Sequence, residues 1–111
     1  MAYDEELADR IRDLLDGETG VTEKKMFGSL AFLVDGNMAM AASYQGGVLV
    51  RVDPAQADQL IDKTHATLAL MRNRPMPGWL RVAPEHLGTR RQLAKWVSLG
   101  ATYARSLPHK R

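Results

Sequence analysis

The strongest pattern of apolar and polar positions in the chain is an apolar hairpin. Two apolar runs, Leu30–Val34 and Met38–Ala42, flank the pair Asp35-Gly36. Asp-Gly favours a type I′ turn, because both central residues of that turn take positive φ. A turn at this position predicts four opposed pairs, which are Val34 with Asn37, Leu33 with Met38, Phe32 with Ala39, and Ala31 with Met40.

Both faces of this hairpin are apolar. In the predicted register one face carries Ala31, Leu33, Met38 and Met40, and the other carries Leu30, Phe32, Val34, Ala39 and Ala41. Because antiparallel sheets commonly leave one face in water, a hairpin that is apolar on both sides needs cover on both sides. Helices can cover one face, so we expect a second subunit or another protein on the other face or along an edge strand. The candidate interface residues are Leu30, Phe32, Val34, Met38 and Met40.

Three segments have the apolar spacing of helices. The first is Asp4–Asp16, which starts with an acidic turn that suits the helix dipole. The second is Pro54–Lys63, which follows Asp53, a favourable N-cap. The third is Thr89–Pro108, where Thr89 and Gln92 fit a capping box.

Four further segments have the composition of strands: Glu23–Phe27, Val48–Val52, Thr67–Met71 and Trp79–Ala83. Arg72–Gly78 contains two prolines and a glycine and is predicted to be a surface loop. Together with the hairpin, the order of elements is α-βββ-β-α-ββ-α. This order predicts an α+β fold, with three helices packed on a curved mixed or antiparallel sheet of five to six strands.

The length of 111 residues fits a single domain that spans residues 1–111, with a disordered tail at 108–111. The chain has no cysteine, no signal peptide and no run of the roughly 18 apolar residues needed to cross a bilayer. These features favour a soluble, cytoplasmic protein without membrane contact.

The charge is distributed unevenly along the chain. Up to Ala66 there are 12 acidic against 6 basic residues, and from Thr67 onward there is 1 acidic against 9 basic residues. One interpretation is that the two halves pair within the fold or across a dimer. The other is that the basic half binds an anionic partner such as nucleic acid, provided that the loop and the start of the third helix adjoin. The candidate contacts are Arg72, Arg74, Arg81, Arg90, Arg91 and Lys95.

The residue types that usually carry chemistry do not form a recognisable site. His65, His86 and His109 share no helix face, as metal ligands at close spacing would. The glycines do not form a nucleotide-binding motif, and no serine has the context of a nucleophile. Both tryptophans, Trp79 and Trp96, are predicted to lie in the core. The sequence therefore predicts a protein that is not an enzyme and that holds no metal or cofactor.

The segment from Lys25 to Met38, KMFGSLAFLVDGNM, resembles the TfoX/Sxy N-terminal domain family. The segments GGVLVRV and MPGWLRV, which begin at Gly46 and Met76, are similar to it as well. The resemblance covers roughly Tyr3 to Leu107. It implies a secretion-chaperone-like α+β fold, commonly a dimer, and a role in transcriptional regulation of natural competence.

The sequence and the resemblance together predict a domain that works through protein–protein contact as an accessory transcriptional or competence regulator. The alternative is a nucleic-acid-binding module that uses the basic residues of the second half. The family supplies no catalytic residues.

Overall fold

The predicted order of helices and strands is confirmed in the computed structural model, which describes residues 3–108. The elements are α1 (Glu5–Leu15), β1 (Val21–Met26), β2 (Ser29–Val34), β3 (Asn37–Ala42), β4 (Val48–Arg51), α2 (Pro54–Lys63), β5 (Thr67–Met71), β6 (Arg74–Val82), a short 3-10 helix (Pro84–His86) and α3 (Arg90–Ser106).

The six strands form one antiparallel sheet in the order β1-β2-β3-β4-β6-β5. The three helices pack on one face of it, which we call the inner face: α3 lies across β2, β3 and β4, α2 lies on β5 and β6, and α1 packs against α3. Buried side chains from all three helices form one core with alternate residues of the strands. The predicted α+β fold is confirmed, and its sheet is antiparallel.

The predicted helix starts are confirmed by their caps. The Asp4 carboxylate accepts a hydrogen bond from the amide of Glu6 at 2.9 Å, and Asp53 caps α2 in the same way. At α3 the Thr89 hydroxyl accepts from the Gln92 amide at 3.1 Å, and the Gln92 side chain accepts from the Thr89 amide at 3.0 Å. These bonds satisfy backbone donors that have no partner inside a helix.

The register of the β2–β3 hairpin is only partly as predicted. Asp35 and Gly36 have φ of 53° and 83°, as a type I′ turn requires, and the predicted partners of Val34 and Leu33 are confirmed. Beyond them the predicted pairs Phe32–Ala39 and Ala31–Met40 are wrong. Phe32 pairs with Met40 and Ala31 with Ala41, which leaves Ala39 as an extra residue in a β-bulge.

The bulge lies directly against the helix above it. A Cβ at Gly100 of α3 would lie 2.5 Å from the carbonyl oxygen of Ala39, so the helix and the bulged backbone are in very close contact. Because side chains alternate along a strand, the extra residue moves Met40 to the inner face and Ala41 to the opposite face.

The hairpin residues predicted to form an interface are therefore mostly core residues. Leu30, Phe32, Val34 and Met40 are at most 2% exposed and belong to the core beneath the helices. These four side chains offer no surface to a partner in this fold. Met38 is half-buried, and the register places it on the face opposite the helices.

The prediction of a surface loop at Arg72–Gly78 is wrong. Arg72 and Asn73, with φ of 52° and 65°, form a two-residue turn, and β6 begins directly at Arg74. The β4–β6 ladder stops at Trp79, so the proline-containing part of β6 has only β5 beside it in the ladder. Strands tolerate proline where one side lacks a ladder partner.

The predicted disordered tail begins at Pro108, whose carbonyl oxygen accepts a hydrogen bond from the Asn37 side chain at 2.8 Å. Asn37 is 7% exposed, and its Nδ2 also lies 3.4 Å from the carbonyl oxygen of Ala104. This contact ties the end of α3 to the start of β3. The rest of the predicted tail, residues 109–111, lies outside the described residues.

Phe27 stands in the β1–β2 turn and not in the first strand as predicted. Its φ is 51° and its side chain is 92% exposed. A left-handed conformation costs an L-residue roughly 1–2 kcal/mol, and asparagine tolerates it best. We expect Phe27→Asn to raise the free energy of unfolding by about 1 kcal/mol in urea titrations.

The matched control for that change is Tyr44→Asn, which removes another exposed aromatic ring from a turn residue whose φ is not positive. This variant should leave the free energy of unfolding nearly unchanged. A loss of stability in Phe27→Asn would contradict the expectation and would mean that the Phe27 ring is packed in solution.

Candidate interaction surface

The face of the sheet opposite the helices, here called the outer face, has an apolar centre. Its side chains alternate along the strands with those of the core, and none of them belongs to the core cluster. They include Lys24, Ala31, Leu33, Met38, Ala41, Leu49, Arg51, Trp79 and Arg81.

Four large apolar residues of the outer face are half-buried: Leu33, Met38, Leu49 and Trp79. They surround small residues such as Ala31 and Ala41, which are 1% and 2% exposed. All buried apolar side chains of the described helices belong to the core on the inner face. The sequence analysis predicted that helices cover only one of the two apolar faces of the hairpin, and the outer face is the one that they do not cover.

Trp79 was predicted to lie in the core, and the structure places it on the outer face instead. Leu80 and Val82, which follow it in β6, are core residues, and Trp79 shares the opposite face with Arg81 because side chains alternate along the strand. Trp96, at 4% exposure in α3, is in the core as predicted.

Two arginines of the outer face are held in place by neighbours without charge. Arg51 is the last residue of β4, and its guanidinium lies 5.4 Å from the centre of the Trp79 ring and 5.6 Å from that of Tyr103 in α3, so it stands at the end of the strand between the outer face and the helix. Arg81 donates to the side-chain oxygen of Gln45, whose amide nitrogen lies 3.0 Å from the Tyr44 hydroxyl. Within residues 3–108, neither arginine has a carboxylate in ion-pair distance.

The acidic and basic halves of the chain pair on the helix side of the fold. Arg90 in α3 lies 2.6 Å from the Asp13 carboxylate of α1, and Arg105 lies 3.2 Å from Glu18. These pairs are largely exposed, so each contributes little to stability. They support the interpretation that the charge asymmetry is used within one fold.

The six predicted nucleic-acid contacts do not form a single patch. Arg72 and Arg74 are exposed at the β5–β6 turn, whereas Arg90, Arg91 and Lys95 are exposed on the first turns of α3. The start of α3 follows the far end of β6, a strand of nine residues and roughly 26 Å. Arg81 lies on the other face of the sheet from α3. The loop and the helix start therefore do not adjoin.

Glu23 of β1 and Arg12 of α1 form a bidentate pair, with N···O distances of 2.7 and 2.9 Å. The hydrogen bonds from Arg12 lower the pKa of the Glu23 carboxyl from its ordinary value. A carboxyl whose pKa is lower in the folded state stabilises the fold above its unfolded pKa and loses that contribution as the pH falls through the folded pKa.

We therefore expect Glu23→Gln to lower the free energy of unfolding at neutral pH by less than about 1 kcal/mol, since the pair is exposed. The difference from the parent chain should vanish as the pH falls through the lowered pKa of the Glu23 carboxyl. Urea unfolding at several pH values measures it, and Glu85→Gln, which removes an exposed carboxylate without an ion pair, is the control. A difference that is constant with pH would contradict the assignment.

A groove of about 580 Å³ lies between α1 and α3, and its lining includes Leu14, Val97 and Arg105. Within residues 3–108, no three histidine, aspartate or glutamate side chains come together as a metal site needs. None of the described helices is long and apolar enough to cross a lipid bilayer.

The comparison with protein families agrees with the resemblance seen in the sequence. The model of the TfoX N-terminal domain matches residues 13–104. Searches of the curated proteins and of the solved structures found no match. The matched segment starts within α1 and ends within α3, so it includes every strand of the sheet. The chain belongs to the TfoX N-terminal domain family.

Proposed function

We propose that this domain is not an enzyme and that it binds another protein on the outer face of its sheet. The observation that carries the proposal is the apolar centre of that face, Leu33, Met38, Leu49 and Trp79, to which no described helix adds a buried side chain. Large apolar patches bordered by polar groups are typical of protein-binding surfaces. The family suggests a regulatory setting connected with competence, so the proposed role is that of an accessory regulator in the cytoplasm.

Leu49→Glu is expected to abolish capture of the partner in a pull-down from a lysate of the source cells. A carboxylate at this site places a charge in the middle of the apolar surface, where it cannot be solvated once a partner covers it. We expect at least a tenfold loss of the captured protein, which corresponds to about 1.4 kcal/mol. The matched control is Ala55→Glu, an equal charge change at an exposed position of α2.

The proposal is supported only if one protein is captured by the parent chain and by Ala55→Glu but not by Leu49→Glu. A captured protein that Leu49→Glu retains would place the binding surface elsewhere. Nuclease treatment of the lysate tests the alternative function, which is the binding of nucleic acid. Capture that nuclease abolishes would indicate nucleic acid, and charge reversal at Arg72, Arg74, Arg90 and Arg91 would then have to weaken it in a salt-dependent manner.

We also propose that the domain forms a homodimer through β5. The two edges of the sheet differ in charge: β1 exposes Glu23, Lys24 and Lys25, and charged residues of this kind protect an edge from pairing. In contrast β5 is uncharged, and its Leu70 and Met71 are 61% and 60% exposed. Antiparallel pairing of two β5 strands would continue the sheet and cover these side chains.

Light scattering at micromolar concentration should give the mass of a dimer for the parent chain and of a monomer for Leu70→Lys. The control is Thr22→Lys, which adds the same charge to the β1 edge. A monomer mass for the parent chain would rule out the dimer, and a dimer in Leu70→Lys would exclude the β5 edge as its interface.

A further inference from the structure

We infer that the partner segment on the outer face is acidic as well as apolar, and that its carboxylates pair with Arg51 and Arg81. This inference rests on the proposed protein-binding function. It adds the chemistry of the partner, which the apolar centre alone leaves undefined.

Arg51 and Arg81 differ from most arginines of the helix side in that no carboxylate of the described residues is paired with them. On the helix side Arg12, Arg90 and Arg105 each have a carboxylate of the same chain within 2.6 to 3.2 Å, and Arg10 donates to the backbone carbonyls of Leu87 and Thr89. On the outer face Arg51 and Arg81 are positioned by aromatic rings and by an amide oxygen, and the described part of the chain supplies them with no carboxylate. Such guanidinium groups are fixed in place and still able to bind an anion.

The two arginines are close together in the sheet. Arg51 pairs directly with Trp79, and Arg81 follows two residues later in β6, so the two are diagonal neighbours on adjacent strands. Diagonal neighbours have Cβ atoms roughly 7 Å apart. Alternate residues of an extended segment are about 7 Å apart, and residues i and i+4 of a helix about 6 Å apart. One short acidic segment can therefore pass both side chains where they leave the sheet, from which Arg51 extends toward Trp79 and Tyr103 and Arg81 toward Gln45.

The strand positions of the outer face have a positive net charge. The described strand positions of the outer face carry Lys24, Arg51 and Arg81 but no aspartate or glutamate. Two copies placed face to face would bring these like charges together, which is unfavourable. An acidic segment is complementary to them.

The apolar neighbours favour a polypeptide over a nucleic acid. Arg51 and Arg81 stand next to Leu49 and Trp79, with Met38 nearby on β3. Arginine, tryptophan and methionine beside aliphatic groups are enriched in protein–protein interfaces, whereas interfaces with nucleic acid are more polar and more densely cationic. The geometry thus points to a segment that combines carboxylates with large apolar side chains.

The experiment is a selection of random peptides displayed on phage against the immobilised full chain. We expect the selected peptides to be enriched in aspartate and glutamate together with leucine, isoleucine, phenylalanine or methionine. The affinity of one selected peptide is then measured for Arg51→Gln, Arg81→Gln and the two lysine variants at these positions. Each glutamine variant should weaken binding about tenfold, as the loss of a charge-assisted hydrogen bond does.

The lysine variants should recover part of that loss, because they keep the charge but lack the planar fork of arginine. The control is the double variant Arg72→Gln/Arg74→Gln, which removes two exposed charges of β5–β6 away from the apolar centre and should bind the peptide normally. Circular dichroism shows whether each variant is folded. The Glu→Gln version of the selected peptide should bind weakly to the parent chain.

Selected peptides that are apolar but not acidic, and that Leu49→Glu no longer binds, would overturn the inference and leave the proposed function standing. Peptides whose affinity is unchanged in Arg51→Gln and Arg81→Gln would also overturn it. If no peptide is enriched, or if a single-stranded oligonucleotide displaces all binding, both the inference and the polypeptide partner are refuted.

Discussion

Phe32→Ala is expected to lower the free energy of unfolding by about 3–5 kcal/mol, the usual cost of removing a fully buried phenylalanine. The Phe32 side chain is 0% exposed and lies in the middle of the inner face, with Met40 opposite it on β3. The cavity left beneath α3 cannot collapse easily, because the sheet and the helix are fixed by their own hydrogen bonds. For a domain of this size, the change is a large part of the total stability.

The matched control is Leu33→Ala at the next residue of the same strand. Leu33 lies on the outer face and is only half-buried, so we expect this change to cost about 1 kcal/mol or less. Urea unfolding at low protein concentration measures both variants. Equal losses for Leu33→Ala and Phe32→Ala would mean that the outer face is covered in the isolated protein, contrary to the surface described above.

Signals between neighbouring residues predict the helices, strands and turns of this fold, whereas the buried faces of the strands involve contacts between distant residues. Local signals located the elements well: Asp53 and Thr89 cap the helices that were expected, and Asp35-Gly36 forms the expected turn. These features depend on residues close together in the chain. The bulge that sets the faces of β3 lies against Gly100 of α3, some sixty residues away, and a contact between residues so distant in the chain leaves no local signal.

The β5–β6 hairpin shows the same limit for a different reason. Proline and glycine indicate a loop from local conformation alone, yet β6 includes Pro75, Pro77 and Gly78. The prolines fit because β4 ends at Arg51, and that end is a property of the sheet. The candidate surface was missed in the same way, because Trp79 was predicted to be core.

For function, the consequence is that the sequence analysis predicted the strands of the sheet but confused core residues with surface residues. Phe32 and Met40, expected at an interface, are core, whereas Leu49 and Trp79 form the surface. The extra residue in β3 accounts for Met40, which it moves to the inner face, whereas Phe32 is core because the helices cover the face of β2 that it shares with Leu30 and Val34. The pattern of apolar positions thus predicts that the sheet needs a partner. It is a weaker guide to the side chains that contact this partner.

Gly100→Ala is expected to destabilise the fold by about 1–3 kcal/mol through overpacking, although helix propensity favours alanine by about 1 kcal/mol. The two effects oppose each other, and the close contact between Gly100 and Ala39 decides the sign of the change in the free energy of unfolding. An added Cβ would lie 2.5 Å from the Ala39 carbonyl oxygen and 3.2 Å from its carbon. These are backbone atoms of a paired strand, so they cannot move aside as the end of a flexible side chain can. Either α3 shifts away from the sheet or the bulge changes shape.

Ser98→Ala serves as the control for helix propensity, because Ser98 is exposed on the same helix and two residues from Gly100. It should stabilise the fold by a few tenths of a kcal/mol. Urea unfolding measures both changes, and hydrogen exchange at the amides of β3 shows whether the bulge is affected. A Gly100→Ala chain as stable as Ser98→Ala would contradict the close contact between α3 and Ala39.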